Sequence, residues 1–259
     1  MILLVGSSGF IGSYLETELL NQGYELKCLN RDKFGQFNLA DIQDIHFETI
    51  IDATAPSLSI LEFLSLLKFN HLIHISTVRT FQSTSGLIYE DSPILECLPN
   101  YNLESDFQKL EYPIKKVFLE KSFSQLSKNS LIVKPVMVLG KRDRSDRYLR
   151  TRKLIEQGAL RVPTQNKVLQ FIDVRDLASN IIELMQEKTI GFRNLVGFSS
   201  TWSNYWELIA AVNEIPLKFS EDYNSINFPY YYDLDWNYGS KFDTIINYSE
   251  IDTIRFAFS

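Results

Sequence analysis

Tyr112 and Lys116 are the residues in this sequence best suited to moving a proton. The run from 111 to about 126 predicts a long helix, and a spacing of four puts both side chains on one face of it. A phenol with an ordinary pKa of ~10 is a poor acid or base near neutrality. An ammonium one helical turn away favours the phenolate and lowers that value. Tyr112 can then exchange a proton with a substrate oxygen while hydride moves to or from a nicotinamide, whose ribose Lys116 also reaches. A hydroxyl at a strand end, Thr77 or its neighbour Ser76, completes the set by binding the same oxygen. The plain alternative is a chance surface pair, since Tyr-x-x-x-Lys occurs in many helices. Context decides between them.

That context begins at the first residues, MILLVGSSGFIGSYL. The apolar run Ile2 to Val5 is short enough for a buried strand and stops at Gly6. Gly9 and Gly12 follow at even spacing. Phe10, Ile11, Leu15, Leu19 and Leu20 then return at helical intervals. Strand, glycine turn and helix form the phosphate-binding start of a βαβ unit. The first glycine permits the turn, the second lets backbone approach a pyrophosphate, and the third lets helix and strand pack closely. The helix start offers free N–H groups and the positive end of its dipole. Lying directly between a strand and a helix, the glycines are more than a ligand-free turn.

The elements that must position these groups alternate along the chain. Strands are expected at 24–29, 37–39, 48–55 and 71–76, with a helical turn at 41–45 and a helix at 58–68. Further strands are expected at 130–139, 168–174 and 192–196, with helices at 175–186 and 202–213. Strands alternating with helices imply a parallel, doubly wound sheet. Ligands bind such sheets beyond the carboxyl ends of the strands, which places Gly6, Arg31, Thr54 and Thr77 on one rim. The strand at 48–55 ends in small residues that let a cofactor lie against backbone. After the strand at 24–29 come Asn30, Arg31 and Asp32. An arginine there suits the 2′-phosphate of NADP and a carboxylate the 2′-hydroxyl of NAD. Arg31 favours NADP(H), and Asp32 leaves NAD(H) open. The stretch 79–109 is irregular, and long loops of this kind usually carry function. The aromatic-rich tail 215–259 is expected to pack rather than dangle.

Composition narrows the partners. With 26 basic and 32 acidic residues the net charge is −6, which argues against nucleic acid or an anionic membrane. No apolar run approaches the ~20 residues that span a bilayer. The apolar start is too short for a signal peptide and runs straight into the glycine turn. Two cysteines, Cys28 and Cys97, and three scattered histidines make no metal-ligand pattern. A cytoplasmic protein without a metal is expected.

Six motifs in order now define a resemblance: GSSGFIG at 6–12, HIST at 74–77, YEDSPI at 89–94, YPIKKVFLE at 112–120, KPVMVLGKRD at 134–143 and QFIDVRDLA at 170–178. With them the chain resembles an extended short-chain dehydrogenase/reductase of the NAD-dependent epimerase/dehydratase group, over residues 1 to about 213. That group's turn has the spacing G-x-x-G-x-x-G, as here. The resemblance implies a Rossmann-type fold and puts the catalytic Ser/Thr, Tyr and Lys on Thr77, Tyr112 and Lys116. It puts cofactor contacts on Gly6, Ser8, Gly9, Phe10, Ile11 and Gly12, and on Asn38 and Leu39 near the adenine. Further contacts fall on Ala53, Thr54 and Ala55, and on Pro135 and Val136. Residues 1–140 then form a dinucleotide-binding core. Residues 141–259 form a small, mixed substrate-binding region, of which about 168–196 completes the core.

Departures from the group narrow the reaction. Its sugar-nucleotide 4,6-dehydratases follow the catalytic Thr with Asp and Glu; Val78 and Arg79 stand there instead, so a dehydratase is not expected. Asn38 replaces a frequent Asp and keeps side-chain hydrogen bonding to adenine. The segment between the strands at 48–55 and 71–76 is short for the group's dimerising helix, so a monomer and a homodimer both remain open. On the substrate side, 141–152 holds six Lys/Arg among twelve residues. Arg142, Arg147 and Arg150, with Arg144, could clamp a nucleotide diphosphate. A solvated helix start with Asp143 and Asp146 as partners is the equal alternative. The C-terminal part is short for the group, which admits a smaller substrate.

The expectation is an enzyme: an NAD(P)-dependent ketoreductase acting on a sugar nucleotide or similar carbonyl metabolite. Close behind stands a sugar-nucleotide epimerase, which recycles bound NAD. A non-catalytic NAD(P)-binding sensor or scaffold is the reading from another class, and an intact Thr77, Tyr112 and Lys116 set argues against it.

Overall fold

The computed structural model describes residues 1–30, 42–82, 87–97, 104–143, 145, 147–158, 167–217, 238–239 and 244–258. In chain order the first elements are β1 (Ile2–Val5), α1 (Phe10–Asn21), β2 (Leu26–Leu29), β3 (His46–Asp52), α2 (Ser59–Ser65) and β4 (Lys68–Ile75). A 3-10 turn at Val78–Thr80 leads to α3 (Glu104–Lys109), α4 (Tyr112–Leu126), β5 (Ser130–Pro135) and β6 (Met137–Leu139). Then come α5 (Arg147–Glu156), β7 (Val168–Asp173), α6 (Val174–Gln186), β8 (Gly191–Leu195), β9 (Phe198–Thr201), α7 (Trp202–Val212) and α8 (Glu250–Phe258).

Six strands form a parallel sheet in the order β2-β1-β3-β4-β5-β8. Strand alternation explains why β1 is apolar throughout. Ile2 and Leu4 join Leu15 and Leu19 of α1 and Ile181 of α6 on one face. Leu3 and Val5 join Phe63 and Leu64 of α2 and Leu119 and Phe123 of α4 on the other. Helices therefore cover both faces, which is the Rossmann-type, doubly wound α/β fold expected. The strand expected at 37–39 lies outside the described residues.

Several boundaries differ from expectation. The helix expected to reach residue 68 stops at Ser65, because Lys68 and Phe69 pair with His46 and Phe47 and lengthen β4 backwards. Strand pairing there outweighs local helical pattern. The strand expected at 130–139 is two strands. Pro135 closes β5 against Leu195, and β6 then pairs with β7 in a separate sheet ordered β6-β7-β9. Proline has no N–H with which to continue a ladder, so the chain changes sheets there. Of the segment 168–196, β7 thus joins the small sheet and β8 the main one, while Leu169, Phe171 and Ile172 of β7 pack in the same core cluster as Ile2 and Leu4.

The small sheet is held by rings. Phe171 of β7 lies 5.5 Å from Phe198 and 5.8 Å from Tyr205 between centroids, and Trp202 stands 6.1 Å from Tyr205. The described parts of the tail are tied to buried side chains. Gln170 takes the Tyr238 amide, Asn180 the Ile245 amide and Asp176 the Asn247 amide. No helix among the described residues is long and apolar enough to cross a membrane.

Candidate active site

The glycine turn lies between β1 and α1 at the carboxyl edge of the main sheet. Gly6 has φ of 89°, and a Cβ on it would stand 3.0 Å from the Ala53 backbone. Both the left-handed backbone and the close passage of the β3 end require glycine. A Cβ on Gly12 would stand 2.1 Å from the Gly6 carbonyl oxygen, so the third glycine is what lets α1 start hard against the turn. A Cβ on Gly9 would meet only Gly6 O at 3.1 Å and Ala53 O at 3.9 Å. Gly9 is also the N-cap of α1 and brings no side-chain cap. The amides of Phe10, Ile11 and Gly12 have no partner within the helix. A cradle of backbone N–H groups at the positive end of a helix fits the pyrophosphate of a dinucleotide.

Asn30 at the end of β2 steadies this cradle. Its Oδ1 accepts from the Ser8 amide at 2.9 Å, and its Nδ2 donates to Ser7 Oγ at 3.1 Å. The carboxyl end of β2 is thus tied to the phosphate turn. Arg31, Asn38 and Leu39 lie outside the described residues. Ala53, Thr54 and Ala55 follow β3 beside Gly6, but the Thr54 hydroxyl is committed. It donates to Asp52 Oδ1 at 2.6 Å.

Asp52 itself is fully buried and also receives His74 Nδ1 at 2.7 Å across the β3–β4 pairing. Burial pushes the His74 imidazole down to about 4, and the Lys116 charge adds to this against the pull of Asp52. Burial would raise the Asp52 carboxyl, yet the bond and charge of His74, the Lys116 charge and the Thr54 bond together hold it below its ordinary value. At neutral pH the imidazole is uncharged and donates to a carboxylate. The His74 ring is stacked 4.3 Å from Phe123, and its Nε2 is buried with no hydrogen-bond partner among the described residues.

A pH dependence follows. The unfolded imidazole, at 6.5, binds its proton before the folded one, at about 4. The pair's contribution is therefore whole above pH 6.5 and shrinks as pH falls towards 4. The loss is about 3 kcal/mol over that window. Urea midpoints measured from pH 7.5 to 4 should fall accordingly, and His74→Gln should flatten this part of the profile. A variant profile as steep as the wild type would count against it.

The residues expected to react lie around the carboxyl end of β4, where Lys116 is anchored. Lys116 is 3% exposed, and its Nζ donates to the Ile75 carbonyl at 2.6 Å. This bond fixes the first turns of α4 beside the strand end that carries Thr77. Tyr112 opens α4 one turn earlier, with Pro113 in the first turn, a position where a missing N–H is harmless. Tyr112 is 44% exposed and so can meet a solute. Thr77 is half-buried, and its Oγ1 accepts from the Arg79 amide at 3.3 Å, leaving its own proton to give. Ser76 is the other hydroxyl considered from sequence. It is buried and donates to Glu120.

Glu120 is the third residue of the face that bears Tyr112 and Lys116, again four positions on. Its Oε2 lies 2.9 Å from Lys134 Nζ of β5, with both side chains fully buried. The Lys134 ammonium is 4.1 Å from the Phe81 ring centroid and 5.0 Å from that of Phe192. Burial pushes Lys134 below its ordinary value, and Glu120 opposes that shift. The chain Ser76–Glu120–Lys134 ties the end of β4, α4 and β5 together. The pattern HIST places His74 and Ser76 on one strand face, and the spacing 112, 116, 120 places Glu120 under Lys116. Those were signals available in the sequence. Asp52 and Lys134 needed the strand register.

The other residues expected at the site lie at the end of β5 and beyond it in the chain. Pro135 and Val136, expected to contact the cofactor, are buried at the crossing between the two sheets. Arg142 is exposed in the turn after β6. Its neighbour Lys141 accepts from Tyr14 at its carbonyl, 3.3 Å away, and sets its ammonium 5.5 Å from the Phe256 centroid. That turn is thus held against α1 and α8. Arg150 is exposed on α5, and Arg144 and the Arg147 side chain lie outside the described residues.

Residues 2–92 match the sequence model of a family described as the NAD dependent epimerase/dehydratase family. The match takes in the glycine turn and Thr77 and ends before Tyr112. No curated protein matches the chain. Among solved structures, RMD from Pseudomonas aeruginosa, complexed with NADPH, gives a TM-score of 0.72 at 15% identity, covering 99% of this chain and 97% of that one. UDP-glucuronic acid 4-epimerase from Bacillus cereus, in complex with NAD, gives 0.68 at 18%, covering 85% and 86%. UDP-glucose 4-epimerase from Thermotoga maritima, with UDP-glucose, gives 0.67 at 14%, covering 99% and 96%. At such identities the likeness is one of fold.

Proposed function

We propose that this chain is an NAD(P)-dependent oxidoreductase of the epimerase/dehydratase type, acting as a ketoreductase on a sugar nucleotide or a similar carbonyl metabolite. The observation that carries the proposal is the bond from Lys116 to the Ile75 carbonyl, 2.6 Å long, which joins the helix of Tyr112 to the strand end of Thr77. Gly6, Gly9 and Gly12 hold the pyrophosphate on the amides at the start of α1. Ala53 to Ala55 line the neighbouring strand end, and Lys116 reaches the nicotinamide ribose. When bound, the dinucleotide supplies or takes up hydride.

The chain's own groups handle the oxygen. Thr77 Oγ1 donates to it and orients it. Tyr112 gives its phenolic proton to the same oxygen as the carbonyl becomes an alcohol, and takes it back in the reverse direction. Lys116 stabilises the charge that develops on the tyrosine oxygen. Arg31 supports NADP(H) over NAD(H).

The second reading is an epimerase using the same residues, and it draws on the two sugar-nucleotide 4-epimerases that share the fold. The two differ in what happens to the cofactor. NADPH oxidation should be followed against a panel of keto-sugar nucleotides and simple ketones, with native mass measured on the protein as purified. One NADPH consumed per product supports the reductase. Product formed without net cofactor turnover, on protein that already carries NAD, replaces it with the epimerase.

A further inference from the structure

We infer that Asp52, at the end of β3, is a positioning residue for the proton transfer: held in a buried pair with His74, its carboxylate is the countercharge that keeps the Lys116 ammonium in its working place. This inference rests on the proposed roles of Tyr112 and Lys116.

The pair lies on the sheet face that α4 covers. Register sets Asp52 of β3 beside His74 of β4. Strand alternation puts His74 and Ser76 on the face of Leu72, which packs with Leu119 and Phe123 of α4. The contacts follow in order along the helix. Phe123 stacks on the His74 ring at 4.3 Å, Glu120 takes the Ser76 hydroxyl, and Lys116 reaches the Ile75 carbonyl at 2.6 Å. Lys116, Glu120 and Phe123 form one row of α4, four and then three positions apart. That row runs along the end of β4 and brings the ammonium to the residue next to His74.

A buried ammonium with only a carbonyl for a partner is costly, because one dipole does not replace the hydration of a full charge. Among the described residues Lys116 forms no direct ion pair. Glu120, four positions on, is matched by Lys134 at 2.9 Å. Arg79 is a second cation, with its guanidinium carbon 5.9 Å from the Tyr112 ring centroid. The compensating charge is the Asp52 carboxylate, fully buried in the same layer. Burial would raise that carboxyl, but the His74 bond and charge and then the Lys116 charge hold it below its ordinary value. Screening is weak where water is excluded. His74 supports the carboxylate without adding a charge of its own. Its Nδ1 donates to Asp52 Oδ2 at 2.7 Å, while burial and the Lys116 charge hold the ring down to about 4. Asp52 Oδ1 meanwhile takes the Thr54 amide at 3.0 Å and the Thr54 hydroxyl at 2.6 Å. One carboxylate thus serves Lys116 and fixes the strand end expected to line the cofactor.

Asp52→Asn removes the charge and keeps the shape. Its Oδ1 can still take both Thr54 donors, and its amide then faces a His74 ring that carries the proton on Nε2. Single-turnover rates on protein saturated with NADPH, with a keto compound that supports NADPH oxidation, should fall about tenfold or more. The dissociation constant for NADPH should change by no more than about threefold, because the strand end stays fixed and the phosphates rest on backbone amides. A second measurement needs neither substrate nor this variant. In NMR titrations of histidine-labelled protein, removing the cation with Lys116→Met should raise the His74 midpoint from about 4 by about half a pH unit or more. A pair that only held the strands together would show no such shift. Where Asp52→Asn does not fold, the titration decides alone. An unmoved His74 midpoint in Lys116→Met, or a wild-type single-turnover rate in Asp52→Asn, would overturn the inference. Tyr112→Phe tells this failure from that of the proposed function. Turnover lost there but kept in Asp52→Asn sinks the role of Asp52 alone, whereas turnover kept in Tyr112→Phe sinks the proposed function.

Discussion

Tyr112→Phe is expected to lower turnover 10²- to 10⁴-fold, the range typical of a lost general acid–base group. The dissociation constant for NADP(H) should change by no more than about twofold, because the dinucleotide rests on backbone amides and not on the phenol. The substitution is well suited to the test for a structural reason. Tyr112 is 44% exposed at the first position of α4, so removing its oxygen leaves no buried group unpaired. Lys116 keeps its bond to the Ile75 carbonyl, and α4 stays where it is. Single-turnover rates with saturating cofactor would isolate the chemical step. A variant with wild-type turnover would remove Tyr112 from the mechanism, and with it the argument for Lys116.

The fold was largely legible because its strongest signals are local. Four apolar residues followed by Gly6 and a helical pattern need no tertiary information to be recognised as a strand, a turn and a helix. The three glycines could even be given separate duties, and Gly6 and Gly12 meet backbone as those duties require. Where the fold departed from expectation, pairing between distant residues decided. Lys68 became strand because His46 was available beside it, and residues 137–139 left the main sheet because Pro135 could not prolong it. The short helix α3 and the tail helix α8 carry no periodic pattern clear enough to have announced them.

The candidate site divides in the same way. Thr77, Tyr112 and Lys116 were legible from residue type and spacing, since four positions along a helix fix a shared face. Residue type alone does not rank Thr77 above Ser76; the resemblance puts the role on Thr77, and the partner that occupies Ser76 is Glu120, 44 positions away. His74 sits two residues before Ser76, but nothing local shows that its neighbour across the sheet is Asp52. In the sequence Arg79 marks only a departure from the 4,6-dehydratases. Its relation to Tyr112 depends on how the 3-10 turn folds over α4.

The largest stability effect should come from Lys134→Met. It leaves the Glu120 carboxylate fully buried with its charge uncompensated, and removing one partner of a buried ion pair costs about 3–5 kcal/mol. Glu120→Leu alone should be similarly damaging, because it strands the Lys134 ammonium between the Phe81 and Phe192 rings. The double variant, Glu120→Leu with Lys134→Met, should recover most of the loss. Ser76 then remains as the one hydroxyl to be satisfied, and two apolar side chains fill the former ion-pair volume. Urea unfolding of the four proteins closes a double-mutant cycle, with a coupling of several kcal/mol expected. Activity separates the two roles of the clamp. If Ser76–Glu120–Lys134 serves only to stabilise, the double variant should be both stable and active. If the clamp also sets the angle of α4 against β4, the double variant should fold and bind NADP(H), yet turn over slowly because Tyr112 and Thr77 no longer converge on one oxygen. We expect the second result. The clamp ties together three elements whose ends carry Thr77, Lys116 and Pro135, and apolar replacements restore packing without restoring direction. A small coupling, or single variants as stable as the wild type, would mean that the buried pair does not hold these elements together.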